Sequence, residues 1–116
     1  MLGLIRLLKA TQYSLKGLKA VWQQETAFRQ ECLLLLLAVG IALSLDISRT
    51  QQLLLIASVV LILIVEIINS ALETIVDRIS PTLHPLSAQA KDMGSAAVFL
   101  TLFLAIFIWS TILWKR

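Results

Sequence analysis

TQQLLLIASVVLILIVEIINSALETIVDR, residues 50–78, decides the fold. From Thr50 to Val65 it runs 16 residues without a charge, and then Glu66, Asn69, Glu73 and Asp77 follow at spacings of three, four and four. Those spacings are helical, and Ile67, Ile68, Leu72, Ile75 and Val76 keep the same apolar period as far as Arg78. A bilayer core of about 30 Å takes roughly 20 helical residues at about 1.5 Å each. A helix over 50–78 therefore starts as a membrane span and outlasts the bilayer.

Two further uncharged runs flank it, Cys32–Leu45 with 14 residues and Ser95–Trp114 with 20. The shorter one must begin its crossing inside the polar segment from Glu25 to Glu31. Three spans are predicted, over 27–46, 50–78 and 91–114, with a short polar turn at Asp46–Gln52. A cytosolic loop is predicted over 79–90, where Ser80-Pro81 and His84-Pro85 break the helix because the residue before proline is pushed out of the α region. A new helix beginning near Ser87 can carry Lys91 and Asp92 into the third span.

Residues 1–24 form an amphipathic pattern. At 100° per residue, Lys9, Tyr13, Lys16 and Lys19 gather beside Arg6 within about 140°, and Leu7, Leu8, Leu15, Leu18, Val21 and Trp22 fill the opposite side. Such a helix lies in the membrane interface with its lysines near anionic headgroups. Gly17 is expected to loosen it midway. The fold class is thus all-α: one membrane domain with an N-terminal surface helix and three transmembrane helices.

Composition agrees, since 59% of the 116 residues are hydrophobic, 15% are charged and the mean hydropathy is +0.89. This excludes a soluble enzyme, a disordered tail and, with Cys32 alone, a disulfide-stapled module. Cys32 reads as an inert thiol. The N-terminal basic residues interrupt any signal-peptide core, so this segment is expected to stay on the mature protein. The net charge of +3 comes without a dense basic and aromatic patch, which argues against nucleic acid and for membrane surface and phosphate. Counting Lys and Arg, seven flank one side of the spans and three the other, which puts the N-terminus in the cytoplasm. Lys115 and Arg116 run against that count.

The polar stripe is where chemistry can reside. Glu66, Asn69, Glu73 and Asp77 share one helix face and rise about 16 Å along it. For Asp77, pairing with a basic residue is an equally good account, whereas Glu66 lies deep, where ionisable groups are expensive. Like charges one turn apart need a positive partner, and a divalent cation supplies one economically. Mg²⁺ takes one or two carboxylates and completes its shell with water and substrate phosphates, and Glu73 with Glu25 at similar depth would make such a pair. Lys91 at a helix start is disfavoured by the dipole, which favours an anionic ligand there. Metal-binding carboxylates, a phosphate-binding lysine and an acid at lipid depth point to phosphoryl transfer at the membrane. Neither G-x-x-x-x-G-K-[ST] nor G-x-G-x-x-G occurs, so an ordinary ATP fold is excluded. Three helices alone offer Glu66, Asn69 and Glu73 little cover, so an oligomer is expected.

The run VEIINSALETIVDR at 65–78 with AKDMGSAAV at 90–98 closely resembles the prokaryotic integral-membrane diacylglycerol kinases. YSLKGL at 13–18 and ETAFRQE at 25–31 look like that family's surface-helix motifs. The resemblance implies a homotrimer in the bacterial inner membrane that phosphorylates diacylglycerol to phosphatidic acid with MgATP. By it, Glu66 matches the catalytic base, Asn69 an active-site neighbour, and Glu25 and Glu73 the metal ligands. Arg6, Tyr13, Lys91 and Asp92 match nucleotide-contacting positions, as does the Thr82–His84 stretch, although Pro81 and Pro85 flank it here. His84 itself, in a solvated loop, reads as a bystander to catalysis. Arg6, Trp22, Glu31, Glu66, Ser95 and Trp109 fall on positions lining the lipid's path. Two alternatives stand beside this: an undecaprenol kinase of the same family, against which Met93–Ala97 argues, and a small proton-coupled transporter. Against the transporter, the acids gather toward one membrane face with Lys91 in the adjacent segment.

Overall fold

A computed structural model describes residues 2–114; Met1 and the Lys115–Arg116 pair that enters the orientation count lie outside them. Four helices follow in order: α1 (Leu2–Gln24), α2 (Thr26–Ser44), α3 (Arg49–Ile79) and α4 (Pro85–Trp114). No strand occurs among the described residues. The last three helices are long and apolar enough to cross a membrane. At about 1.5 Å per residue, the 19 residues of α2 reach about 28 Å, close to one hydrocarbon core, while the 31 of α3 run about 46 Å and project beyond it.

α1 is exposed along almost its whole length and meets the rest of the chain through its C-terminal end, where Val21 is buried with Phe28 and Leu63. The hydroxyls of Thr11 and Ser14 donate to the carbonyls of Leu7 and Ala10, at 2.9 and 2.8 Å, so neither leaves an unpaired donor on the helix surface. The expected loosening at Gly17 does not occur. α1 runs through it unbroken, because one glycine costs only about 1 kcal/mol against the favourable residues around it.

The spans are tied at the end remote from the polar stripe. Ser48 and Gln51 form a reciprocal capping box at the start of α3, with bonds of 3.1 and 3.0 Å, so Gln51 and Gln52 are helical rather than part of the turn. Gln52 Nε2 reaches back to the Ala42 carbonyl at 3.2 Å. Ala42, Leu55 and Ile112 bury completely or nearly so, one from each spanning helix. Beside them the Trp109 indole N–H lies 3.1 Å from both the Leu55 carbonyl and Ser58 Oγ, locking α4 onto α3. Cys32 packs at the other end, against the cluster of Val21, Phe28 and Leu63.

One boundary differs from the sequence reading. The connection after α3 is short, and α4 begins at Pro85, so residues 85–90 are helix rather than loop. Proline interrupts a helix that precedes it but suits the first position of one that follows, since its φ is preset and the missing N–H has no partner there anyway. His84 completes the start, its Nδ1 accepting from the Leu86 N–H at 3.1 Å.

Ala42 has no exposed surface where the three spans meet. Ala42→Leu is expected to destabilise the bundle by about 1–3 kcal/mol through overpacking, seen as a lower unfolding temperature in detergent with helix content retained below it.

Candidate active site

Glu66 sits midway along α3, only 7% exposed, in a helix whose other buried positions are apolar or Ser. Ser70, one turn on, is equally buried, and Asn69 and Glu73 are half-buried on the same side. Two other segments bring acids to this place. Glu25 occupies the break between α1 and α2, in an extended conformation at the N-cap of α2, and its side chain makes no capping bond. Its carboxylate is therefore free to face elsewhere, and its charge acts on Glu66 together with that of Glu73. Glu31 lies on α2 within range of the Glu66 charge, with Oε1 buried and unpartnered. The Asn69 carboxamide donates from Nδ2 to Glu73 Oε1 at 3.4 Å and also acts on Glu66. The cover expected from a second subunit is thus supplied to Glu66 by the chain itself.

The basic candidates lie elsewhere. Lys91 Nζ pairs with Asp77 across α4 and α3, both side chains well exposed, 42% and 64%. The dipole argument for Lys91 does not hold. With α4 starting at Pro85, Lys91 stands beyond the first turn, where the field of the helix terminus has faded. The pair borders a cleft of about 360 Å³ lined by Ser80, Thr82, His84 and Ser87. Asp92 and Ser95 are exposed on the same helix.

Other sequence candidates are not gathered at Glu66. Arg6 and Tyr13 stand exposed on α1, Tyr13 under the Lys16 ammonium at 6.0 Å from the ring centre. Trp22 is half-exposed at the end of α1. Trp109 is bonded to Leu55 and Ser58, about 12–16 Å along α3 from Glu66, and borders an apolar groove of about 300 Å³ between α2 and α4.

Arg29 is the residue that sequence reasoning undervalued. Its guanidinium donates to the carbonyls of Trp22 and Gln23, the latter at 3.4 Å, and to Thr26 Oγ1 at 3.1 Å. It closes the open C-terminal carbonyls of α1 from the first turn of α2, and so fixes the angle at which Glu25 is presented. An arginine four residues after a helix break is the available signal.

A model of the prokaryotic diacylglycerol kinase family matches residues 12–113. The chain belongs to that family. It is 53% identical over 114 residues to the diacylglycerol kinase of Escherichia coli (strain K12), covering 98% of this chain and 93% of that one. The diacylglycerol kinase of Pseudomonas aeruginosa is 51% identical over 111 residues, 96% and 90% of the two chains. That of Helicobacter pylori (strain J99) is 41% identical over 107 residues, 92% and 84%. The family match takes in α2, α3 and α4 and the half of α1 that touches them, which is the part of the chain holding Glu25, Glu66 and Glu73.

Because Arg29 is the polar clasp between α1 and α2, Arg29→Met is expected to raise amide exchange throughout α1 while leaving α3 protected. Hydrogen exchange followed by mass spectrometry in micelles checks this.

Proposed function

We propose that this chain transfers the terminal phosphoryl group of ATP to the free hydroxyl of diacylglycerol, yielding phosphatidic acid and ADP at the inner face of the bacterial cytoplasmic membrane. The observation that carries the proposal is the buried Glu66, with Asn69 and Glu73 on the same side of α3 and Glu25 presented at the break before α2. A primary alcohol needs its proton removed as it attacks phosphorus, and Glu66 lies at the depth where a membrane lipid presents its hydroxyl. Glu66 takes that proton as the alcohol oxygen bonds to the γ-phosphorus and the bond to the ADP oxygen breaks. Asn69 holds the carboxylates apart by donating between them. Glu31 and Ser95 border the lipid's headgroup. Lys91 meets the phosphates from α4, with Asp92, Arg6 and Tyr13 on the nucleotide and His84 edging its cleft. Trp22 and Trp109 flank the acyl chains.

Glu25 and Glu73 fit Mg²⁺. Both are hard oxygen donors, Glu25 has no capping bond, and Glu73 accepts only one long bond. Mg²⁺ takes one or two carboxylates and keeps its other positions for water and phosphate. Bound there, Mg²⁺ would offset charge on the phosphate oxygens.

The N-terminus and the Glu66 end of the bundle face the cytoplasm in this reading, and the active assembly is a homotrimer. The number three rests on the family resemblance, and exposed apolar positions such as Leu36, Phe103 and Phe107 leave faces for lipid or neighbouring subunits. Cysteine placed at position 46 is expected to label from outside only. Cross-linking an active preparation in mild detergent is expected to give trimers, and monomers alone would overturn that assembly.

Purified protein in mixed micelles is expected to transfer phosphate from ATP to diacylglycerol well ahead of undecaprenol. Glu66→Gln should lower kcat by at least ~10²-fold with the KM for MgATP nearly unchanged. Glu73→Gln should raise the Mg²⁺ requirement and recover partly at high Mg²⁺, whereas Lys91→Ala should lose nucleotide affinity without such recovery. Near-normal kcat in Glu66→Gln would remove Glu66 from the role of base.

A further inference from the structure

We infer that Gly94, which touches none of the reacting groups, positions the Asn69 carboxamide as a donor to the carboxylates. This rests on the lipid-kinase reading. Gly94 is buried ten residues into α4 with ordinary helical geometry, and no glycine among the described residues has positive φ. Its backbone conformation thus gives no reason for glycine, which is less favourable than alanine in a helix interior. The reason is space. A Cβ at Gly94 would overlap Asn69 Oδ1, lie 3.2 Å from Asn69 Cγ and touch Leu72 Cδ2 at an ordinary 3.7 Å. All three nearest atoms belong to side chains on α3, so a methyl there collides with the carboxamide before it meets any backbone.

The slot also decides which way the carboxamide faces. Asn69 Oδ1 is buried against α4 without a hydrogen-bond partner, and Nδ2 points to Glu73. The reverse orientation would aim a carbonyl oxygen at Glu66 and Glu73, placing negative charge against negative charge. Leaving Oδ1 unpaired has a desolvation cost, and the absent Cβ is what makes room for it. Gly94 is thereby a positioning residue. By removing its own side chain it lets Asn69 stay between the carboxylates as a donor.

The test is a double-mutant cycle on the full chain in mixed micelles, with wild type, Gly94→Ala, Asn69→Ala and the double variant. Gly94→Ala is expected to lower kcat by about ten-fold or more with the KM for diacylglycerol unchanged, the same effect that is expected of Asn69→Ala. In the Asn69→Ala background the same substitution is expected to change kcat by less than about two-fold, because the methyl then enters space the carboxamide has left. Full activity in Gly94→Ala, or an equal loss in both backgrounds, overturns the inference. Thermal unfolding supplies a second measurement. If Gly94→Ala alone fails to fold, the double variant is expected to fold, and failure of both shows that the methyl meets something other than the carboxamide and overturns it. Wild type that phosphorylates no diacylglycerol defeats the lipid-kinase reading itself, and Gly94 is then judged on the unfolding temperatures.

Discussion

The structure is organised around the burial of one carboxylate in an apolar helix. Removing an ionised group from water costs several kcal/mol unless partners compensate, and Glu66 is almost wholly enclosed. Every nearby departure from a plain three-helix span bears on that residue. The chain breaks at Glu25, placing a second acid free of capping duty at the same level. Arg29 clasps α1 over the break. Asn69 donates among the acids, and α4 carries glycine where it passes Asn69.

The opposite end of the bundle has the complementary character. There the helices close on Ala42, Leu55 and Ile112, the turn is fixed by the Ser48 and Gln51 capping box, and Trp109 pins α4 to α3. Small and apolar contacts supply stability without requiring anything from the solvent side. The buried polar atoms without partners lie toward the other end: Glu31 Oε1, Asn69 Oδ1 and Ser70 Oγ. The cluster that ties the spans together and the polar stripe occupy different lengths of α3.

Much of this arrangement was legible in the sequence, because hydrophobic period and charge spacing are local properties. The stripe from Glu66 to Asp77 kept its helical spacing past the bilayer, and α3 does run on to Ile79. The error at the start of α4 has a local cause as well: Pro85 was read for the helix it forbids and not for the one it begins. A helix start near Ser87 rather than Pro85 was enough to bring Lys91 close to the first turn. Gly94 was illegible for another reason. It acts through Asn69 on a different helix, and nothing in its own neighbourhood announces that partner.

The pairing of Lys91 with Asp77 shows how the cation can be placed without being consumed. Both side chains are well exposed, and an ion pair in that setting is worth about 0–1 kcal/mol. Such a contact narrows the orientations of a long, flexible side chain while offering little resistance to exchange. A polyphosphate brings several charges and many acceptor oxygens to the cleft and so competes readily with one carboxylate. Buried at the level of Glu66, the same lysine would be held by an acid and lose that freedom of exchange. Its place on α4, paired with Asp77 on the polar extension of α3 and with the charge of Glu73 also acting on it, leaves it at the surface of the cleft.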